Sequence, residues 1–379
     1  MSAPTLPALR GGLLALLAGD AHGGARLFDD LMAHCETKTG IITRELHGLA
    51  QQINATPALG ELVHDTPSRQ ILAAGGLAAF PEFAARFAKF LADHGHRETD
   101  FDPYHPTWID APWIVLDNIR LLAERSTHES PRDKELDLRL RQMAAEATLF
   151  ARLPADLHFF FHELLRLARA YTALDDVEHY QTTRLTLPLR KGLGELGHHL
   201  VRRGVLAEPM DVFFCRFRAL DAAIRADDNA QWDQLAASIR GSKADYLQHR
   251  ATTPAWVLGE ERPVEVEDDS EGSGRLRGLS GSPGCAEGEV FQVLSPDDFS
   301  GFPKGAVLVA RTTNPAWTPL FYSACAVVTE SGGPLSHGAV TAREMEIPAV
   351  MSVHRVLSTL KNGRRVRVDG THGTVSLLD

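Results

Sequence analysis

The sequence predicts a multidomain α plus α/β protein, in which an N-terminal all-helical domain precedes a C-terminal domain of mixed strands and helices. Up to about Trp256, apolar residues recur at spacings of three and four, which is the period of a helix face. From Leu276 onward, short runs of β-branched residues alternate with turns rich in Gly, Pro and Asn, a pattern typical of strands. We therefore expect a helical domain at residues 1–258 and a mixed domain at residues 276–379.

A change of composition separates the two domains. Residues 259–275 are acidic, rich in Gly and Ser and poor in apolar side chains, which is the composition of a flexible linker. About 17 such residues span roughly 20 to 25 Å on average and roughly 55 Å at full stretch. The linker is expected to let the mixed domain move between sites.

Local signals predict individual elements. Leu13 to Leu17 carry a helical pattern, and Phe80 to Ala84 predict the start of a helix with Pro in its first turn. A longer helical tract from about Asp133 to Leu174 is expected to break at Pro154, and the residues after Leu174 keep helical spacing. In the mixed domain a turn is expected at Gly281 to Gly284. Six runs there predict strands: 288–294, 306–310, 326–328, 348–351, 365–368 and 374–377.

Composition excludes several classes of function. The chain has 39 basic and 49 acidic residues, a net charge of −10, and no basic cluster, so neither nucleic acid nor a membrane surface is an expected partner. Its four cysteines lie far apart without CxxC spacing, which indicates neither a disulfide framework nor a zinc site and favours a cytoplasmic location. No apolar stretch approaches the ~18 residues of a membrane span.

Two motifs in the helical domain are interpreted as coincidences. Gly192 to Gly197 match GxGxxG, but they lie inside a helical run rather than after a strand, so a dinucleotide site is not expected. His158 with His162, and Asp176 with His179, have the spacing of metal ligands on a helix. Since the chain contains 17 histidines, such pairs arise by chance, and no metal site is predicted.

The most informative stretch runs from Thr329 to Glu344. It follows an apolar β-branched run and leads into residues of helical character, so its Gly-rich turn is expected to place His337 at a helix N-terminus. Such a position stabilises an anion, and neutral imidazole is a usable nucleophile. His337 is thus a candidate carrier of a phosphoryl group; the alternative is a turn histidine without chemistry. The candidate phosphate ligands are Thr329, Gly332, Gly333, Ser336 and Arg343.

Two polar stretches of the helical domain are candidates for a binding site. One is the loop from His94 to Asp102, and the other is the segment from Leu174 to Arg184, where Asp176, His179 or Tyr180, and Thr183 share a helix face. Residue types alone leave open whether either stretch lines a pocket or is a solvated connection.

The stretch Thr329-x-x-Gly332-Gly333-x-x-Ser336-His337, with Ala342-Arg343 and Ile347 to Val350 beyond it, closely resembles the phosphohistidine swivelling domain of the phosphoenolpyruvate-utilising enzymes. Leu279 to Gly284, Thr313 to Leu320 and Val368 to Gly370 resemble that domain's opening, middle and end. The resemblance implies a mixed β/β/α swivelling domain in which His337 is phosphorylated.

The helical domain resembles the acceptor-binding domain of rifampin phosphotransferase-like proteins. His94-Gly95-His96-Arg97, followed by acidic residues and Pro-x-Trp, is similar to that group's Gly-His-Arg loop. Where that group tends to have an Arg-Glu-type helix, this chain has Asp175-Asp176 and His179. The resemblance implies an acceptor-binding domain, and the polar residues of the loop and of the 174–184 segment predict an acceptor site formed by Arg97, Asp176, His179, Tyr180 and Arg184. In it, Asp176 or His179 would remove the acceptor's proton, and Arg97 or Arg184 would bind the phosphate.

Together these resemblances imply a subunit of an ATP-dependent, dikinase-type phosphotransferase. The larger enzymes carry an ATP-grasp domain and a phosphoenolpyruvate-binding barrel, and the sequence shows neither. We therefore expect a split form, in which a separate ATP-grasp subunit holds ATP and Mg and phosphorylates His337. No cofactor is expected on this chain itself, and its helical domain is expected to bind a small-molecule acceptor.

Two alternatives remain open from the sequence. In one, the chain is a phosphohistidine carrier or regulatory module, whose helical domain docks a partner protein and whose phosphorylation switches that contact. In the other, phosphorylation serves to eliminate water from the acceptor, so that the enzyme is a dehydratase.

Overall fold

A computed structural model of the chain describes residues 27–28, 30–33, 37–100, 102–124, 131–250, 252, 274–334 and 336–378, without the side chains of 131–135 and 175. We call residues 27–250 the helical region and residues 274–378 the sheet region. The helix expected at Leu13 to Leu17 lies outside the described residues, as does the linker expected at 259–275 except for its last two positions.

Besides helical residues at 27–28 and 30–31, the helical region contains nine α-helices among its described residues. Their bounds are α1 Lys38–Ala55, α2 Pro57–Asp65, α3 Ser68–Ala73, α4 Pro81–His94, α5 Pro112–Ala123, α6 Pro131–Arg152, α7 His158–Arg202, α8 Phe217–Ala226 and α9 Asn229–Arg250. Short 3-10 helices lie at Gly76–Ala79, Ala155–Leu157 and Pro209–Phe214.

Helix starts follow the sequence signals. Pro81 occupies the first turn of α4, as predicted, because a missing N–H costs nothing there. The predicted break at Pro154 is also confirmed, since α6 ends at Arg152 and α7 begins at His158. At the start of α1, the Thr37 side chain accepts a hydrogen bond from Gly40 N at 3.0 Å, which satisfies one of the free donors of the first turn.

The sheet region is built on one eight-stranded sheet. The strands are β1 Arg275–Arg277, β2 Leu279–Ser282, β3 Cys285–Gln292, β4 Val307–Ala310, β5 Ala326–Thr329, β6 Ala349–Met351, β7 Arg365–Asp369 and β8 Thr374–Leu378. Their order across the sheet is β1-β8-β7-β3-β4-β5-β6-β2. The central strands β3 to β6 run parallel, and antiparallel strands flank them on both sides.

Three α-helices complete the described sheet region: α10 Thr318–Ser323, α11 His337–Glu344 and α12 Val356–Thr359. Short 3-10 helices lie at Pro296–Gly301 and Pro315–Trp317. The expectation of helical structure after His337 and near Trp317 to Ser323 is therefore confirmed, and so are all six predicted strands, each within a few residues.

The prediction at Gly281 is wrong. Leu279–Ser282 were expected to lead into a turn that starts at Gly281, but they form β2 and pair with β6, with a register shift between Ser280 and Ser282. Small residues carry little intrinsic strand preference, and here the pairing with β6 overrides it. The turn begins only at Gly284, where φ is +112°. Strand β1 also begins at Arg275, the last residue of the expected linker.

The two regions pack directly against each other. One hydrophobic cluster joins residues of α1 and α5, such as Leu46 and Ile119, with Phe299 and Leu320 of the sheet region. Ion pairs add to this junction, between Arg69 and Asp297 and between Arg141 and Glu346. This packing brings the carboxyl edge of the parallel strands towards the loop between α4 and α5.

Among the described residues, no helix combines the length and the apolar character that crossing a membrane requires. The same residues contain no group of three or more His, Cys, Asp or Glu side chains arranged to hold a metal ion. His158 instead contacts the Leu153 carbonyl at 3.1 Å through Nε2.

Candidate functional site

His337 lies where the connection from β5 reaches the first residue of α11. The preceding parallel strand ends at Thr329, so the turn that follows emerges at the carboxyl edge of the sheet, where α/β folds generally bind ligands. Ser336 caps α11 and accepts from Ala339 N at 3.4 Å. His337 therefore stands at a helix N-terminus, as predicted, in the positive end of the helix dipole.

The neighbours of the His337 ring fix its position. Its Nε2 lies 3.2 Å from Thr341 Oγ1, one turn further along α11, and 3.5 Å from Thr318 Oγ1 of α10. The next residue, Gly338, packs closely on Thr313, since a Cβ atom there would come within 2.5 Å of Thr313 Oγ1. The imidazole is thus held in one orientation against its own domain.

The protonation of His337 is set by burial and by nearby charges. Burial lowers its pKa to about 3, and the positive charges of Arg97 and His179 lower it as well, whereas Asp176 raises it. At neutral pH the ring is consequently uncharged, which is the form in which an imidazole nitrogen has a free lone pair for nucleophilic attack. Three residues of the helical region thereby prove to be electrostatic neighbours of His337.

The Gly-rich turn before His337 is tightly organised. Thr329 Oγ1 donates to the Ser331 carbonyl at 2.7 Å, and Gly332 has a φ of +111°, which disfavours any side chain. The Gly333 carbonyl accepts from Ser336 N at 3.0 Å. Of the predicted phosphate ligands, Thr329, Gly332, Gly333 and Ser336 all lie in this turn or at its ends.

Arg343 has a different environment from the one expected for a phosphate ligand. Its Nη1 donates to the Gly281 carbonyl at 2.6 Å and to the Pro334 carbonyl at 2.8 Å. It thereby ties α11 to β2 and to the turn. Phosphate binding by Arg343 stays a prediction, and it would require the guanidinium to share its donors with these carbonyls.

Arg97 is buried in the loop between α4 and α5, with 3% of its surface exposed. Its Nη2 lies 3.4 Å from Thr39 Oγ1, and its guanidinium lies 5.8 Å from the centre of the Trp108 ring. Its Nη1 has no hydrogen-bond partner in the described part of the chain. Burial lowers its pKa to about 10, so Arg97 remains charged at neutral pH and its Nη1 is an unused donor nitrogen.

Asp176, on α7, is bound to the start of α1. Its Oδ2 accepts from Thr39 N at 3.0 Å and its Oδ1 accepts from Thr39 Oγ1 at 2.6 Å. A carboxylate at a helix N-terminus is stabilised by the free N–H groups and the helix dipole. Asp176 therefore connects two helices of the region, and its negative charge opposes the lowering of the Arg97 and His337 pKa values.

Tyr180 belongs to a hydrogen-bond chain that runs from the buried His94 to the exposed Glu45. Its hydroxyl lies 2.9 Å from His94 Nδ1 and 3.0 Å from the Asp93 carbonyl, and His94 Nε2 lies 3.1 Å from Glu45 Oε2. The Tyr180 hydroxyl donates its proton to the Asp93 carbonyl, and burial lowers the pKa of His94. Tyr180 is therefore a supporting residue of the loop.

Arg184 is exposed and lies near the other side of Tyr180, where its charge contributes to lowering the pKa of His96. His96 is buried, and burial is the main reason that its pKa falls to about 4. Its Nε2 has no hydrogen-bond partner among the described residues. Arg184 is not among the residues whose charge affects His337 in the structure.

Several residues of this site were not predicted. Thr341 was detectable in principle, because residues four apart lie on the same helix face. His96 was part of the Gly-His-Arg loop but was not selected. A sequence does not show that its ring is buried or that its Nε2 has no hydrogen-bond partner among the described residues. Thr39 and Thr318 reach the site only through the packing of separate elements.

Comparison with known proteins shows which families these features resemble. Residues 302–373 match the family model described as PEP-utilising enzyme, mobile domain, and residues 2–176 match that of the rifampicin phosphotransferase fourth domain. The first match contains His337 with its turn, and the second contains Arg97 and Asp176.

Individual relatives agree with these matches. A rifampicin phosphotransferase from a Streptomyces species is 34% identical over 218 residues, which are 57% of this chain and 24% of the relative. An uncharacterized phosphotransferase, YvkC, from Bacillus subtilis is 27% identical and covers 78% of this chain and 36% of the relative. A solved structure of Enzyme I is 37% identical over 20% of this chain and 31% of that one, with a TM-score of only 0.19.

The chain thus spans between about a quarter and about a third of the length of these curated relatives. The two family models cover different parts of it without overlap, and both the histidine turn and the Gly-His-Arg loop fall inside them. The chain is therefore similar to the mobile domain of PEP-utilising enzymes in its sheet region and to the fourth domain of rifampicin phosphotransferase in its helical region.

Proposed function

We propose that this chain is the carrier and acceptor part of an ATP-dependent phosphotransferase. His337 receives a phosphoryl group from an ATP-grasp subunit and passes it to a small molecule bound at the loop between α4 and α5. The observation that carries this proposal is the position of His337, a neutral imidazole at a helix N-terminus whose pKa is influenced by the charges of Arg97, Asp176 and His179.

The first step uses the lone pair of the neutral ring. A nitrogen of His337 attacks the β-phosphorus of ATP, a P–N bond forms, and the P–O bond to AMP breaks. Water then cleaves the P–O–P bond of the histidine-bound pyrophosphoryl group, which releases inorganic phosphate and leaves one phosphoryl group on His337. Over the full cycle, ATP, water and the acceptor give AMP, inorganic phosphate and the phosphorylated acceptor. Phosphoryl transfer needs mainly in-line positioning and charge stabilisation, and the capped turn at Gly332 to Ser336 supplies both.

The second step takes place in the arrangement seen here. An acceptor oxygen attacks phosphorus, the P–N bond breaks, and the acceptor's proton moves to a base. Asp176 already accepts two hydrogen bonds from Thr39, which favours His179 as that base. Arg97, with an unused Nη1 donor, binds the phosphoryl oxygens. The acceptor is of a class with a free hydroxyl or carboxyl group.

The donor subunit is proposed from the family's chemistry, in which ATP-grasp domains hold ATP and Mg. Residues 259–275, whose composition predicts a flexible linker, would let the sheet region reach that donor before it returns to the helical region. Rifampicin is the first acceptor to test, because it appears in the names of several relatives.

The experiment incubates the purified chain with a candidate ATP-grasp subunit, Mg and ATP that is radiolabelled in its β- and γ-phosphoryl groups. We expect an acid-labile label on the wild-type chain and none on the His337→Ala variant. His372→Ala, which removes an exposed histidine of the same region, serves as the control and should keep the label. Label that persists on His337→Ala would falsify the assignment.

A further inference from the structure

Two side chains of the sheet region donate to a single backbone carbonyl of the helical region. Asn314 Nδ2 lies 2.9 Å from the Thr99 oxygen, and Trp317 Nε1 lies 3.4 Å from the same atom. All three residues are buried, so water does not compete for these bonds. A carbonyl oxygen has two lone pairs and is able to accept both donors.

The acceptor of these bonds lies in the loop that carries Arg97. Thr99 follows Arg97 by two residues, and a β-bridge between Glu98 and Thr107 holds this part of the loop. The Thr99 hydroxyl also donates to the Pro106 carbonyl at 2.8 Å. These bonds hold the Thr99 carbonyl in place relative to Arg97, which lies in the same loop.

The donors lie in the segment that carries Thr318. Asn314 caps the 3-10 helix Pro315–Trp317 and accepts from Ala316 N at 2.9 Å through Oδ1. Because Oδ1 must face that N–H, the amide orientation is fixed and Nδ2 points to Thr99. The next residue after Trp317 is Thr318, whose hydroxyl contacts His337 Nε2. Both donors are thus connected to the His337 side of the site.

We infer that Asn314 and Trp317 form a docking latch, which holds the sheet region on the helical region so that His337 lies close to Arg97. They are positioning residues, since neither contacts the His337 ring. The role assigned to the docked position rests on the proposed function, but the latch itself is tested without an acceptor or a donor subunit.

Departure of the sheet region breaks both bonds and exposes their polar groups to water. A buried hydrogen bond contributes about 1 kcal/mol, which corresponds to about a fivefold change in an equilibrium constant. Loss of either donor is therefore expected to raise the undocked fraction about fivefold, and loss of both is expected to raise it further.

The experiment compares hydrogen–deuterium exchange of the full chain with that of Asn314→Asp and Trp317→Phe. Asn314→Asp keeps the oxygen that caps the 3-10 helix and replaces the donor with a carboxylate oxygen, a change of charge for which the control below is matched. Trp317→Phe keeps a ring against Phe299; the Trp317 and Phe299 ring centres lie 5.4 Å apart. We expect exchange of the peptide that contains Thr99 to rise about fivefold in each variant. Modification of His337 by diethyl pyrocarbonate should rise in parallel, relative to His372.

Gln292→Glu provides a matched control for the amide-to-acid change. Gln292 Nε2 donates to the Leu357 and Leu360 carbonyls at 2.7 and 2.6 Å, entirely within the sheet region. An equal rise at Thr99 in this control, or no rise in both latch variants, would overturn the latch. A wild-type chain whose His337 takes no label from ATP, but whose latch variants exchange faster at Thr99, would overturn the proposed function alone.

Discussion

The guanidinium of Arg97, in the helical region, lies close enough to His337 of the sheet region for its charge to act on the imidazole. The buried guanidinium lowers the pKa of the imidazole, so this pairing disfavours a protonated ring. A phosphoryl group carries a charge of about −1.5 to −2, and the same guanidinium would attract it. The relationship therefore opposes proton binding to His337 and favours its phosphorylated form in the docked arrangement.

Removal of the charge of Arg97 should be visible at His337. In Arg97→Gln we expect the pKa of His337 to rise, because a positive neighbour is lost, and to stay below 6.5, because burial is the larger cause of the shift. Titration of the histidine signals by NMR measures both values. Arg275→Gln, on β1, is the control, and a similar rise in that variant would contradict the pairing.

The histidines predict how stability depends on pH. His337 and His96 have pKa values of about 3 and 4 in the folded chain, below the ordinary 6.5, and burial lowers that of His94 too. Between these values and 6.5 the unfolded chain binds more protons, so the free energy of unfolding rises with pH in this window and these histidines no longer change it above 6.5.

We therefore expect the thermal unfolding midpoint to fall when the pH is lowered from about 7 to about 5. In His337→Gln and His96→Gln the fall should be smaller, because a group that the unfolded chain protonates has been removed. His372→Gln changes an exposed histidine and should leave the slope unchanged. Equal slopes in all four proteins would show that buried neutral histidines do not cause the effect.

Several helices and strands of this fold could be predicted because residues within each element determine its structure. The strands β4 and β5 are continuous apolar runs that are fully buried, and the start of α4 follows from Pro81. By contrast, β2 contains Gly and Ser and exists because β6 offers a pairing edge. Its propensity alone favours a turn, and tertiary pairing reverses that preference.

In the candidate site, too, the local part could be predicted from the sequence and the part formed by tertiary packing could not. His337 and its turn are contiguous, and their glycines, serine and threonine could be interpreted together. Which residues of the helical region lie near His337 depends on how the two regions dock. The spacing of apolar residues along the sequence does not encode this docking. Arg184 was selected with Arg97 from residue type, yet only Arg97 acts electrostatically on His337 in the structure. The bonds to the Thr99 carbonyl involve a backbone atom and have no sequence signature.

Asp176 should prove to be important for stability as well as for any chemistry. Asp176→Asn retains the shape of the side chain but removes the negative charge that accepts from Thr39 at the start of α1. We expect the free energy of unfolding to fall by about 1 kcal/mol, as measured by urea denaturation. Asp221→Asn, at an exposed pair with Arg225, is the comparison and should cost less.

Substitution of the three glycines of the GxGxxG motif should have different effects on stability, which would not be expected if the motif were a nucleotide-binding loop. All three lie inside α7, but a Cβ at Gly197 would come within 1.9 Å of the Pro209 carbonyl oxygen, whereas Gly192 and Gly194 have nothing within 4 Å. Gly197→Ala is expected to cost roughly 1 to 3 kcal/mol, since the helix and Pro209 must separate. Gly192→Ala and Gly194→Ala should stabilise the helix by about 0.5 to 1 kcal/mol. Urea denaturation of the three variants measures this contrast. Equal effects at all three positions would contradict a packing role, because only Gly197 is in close contact with another part of the chain.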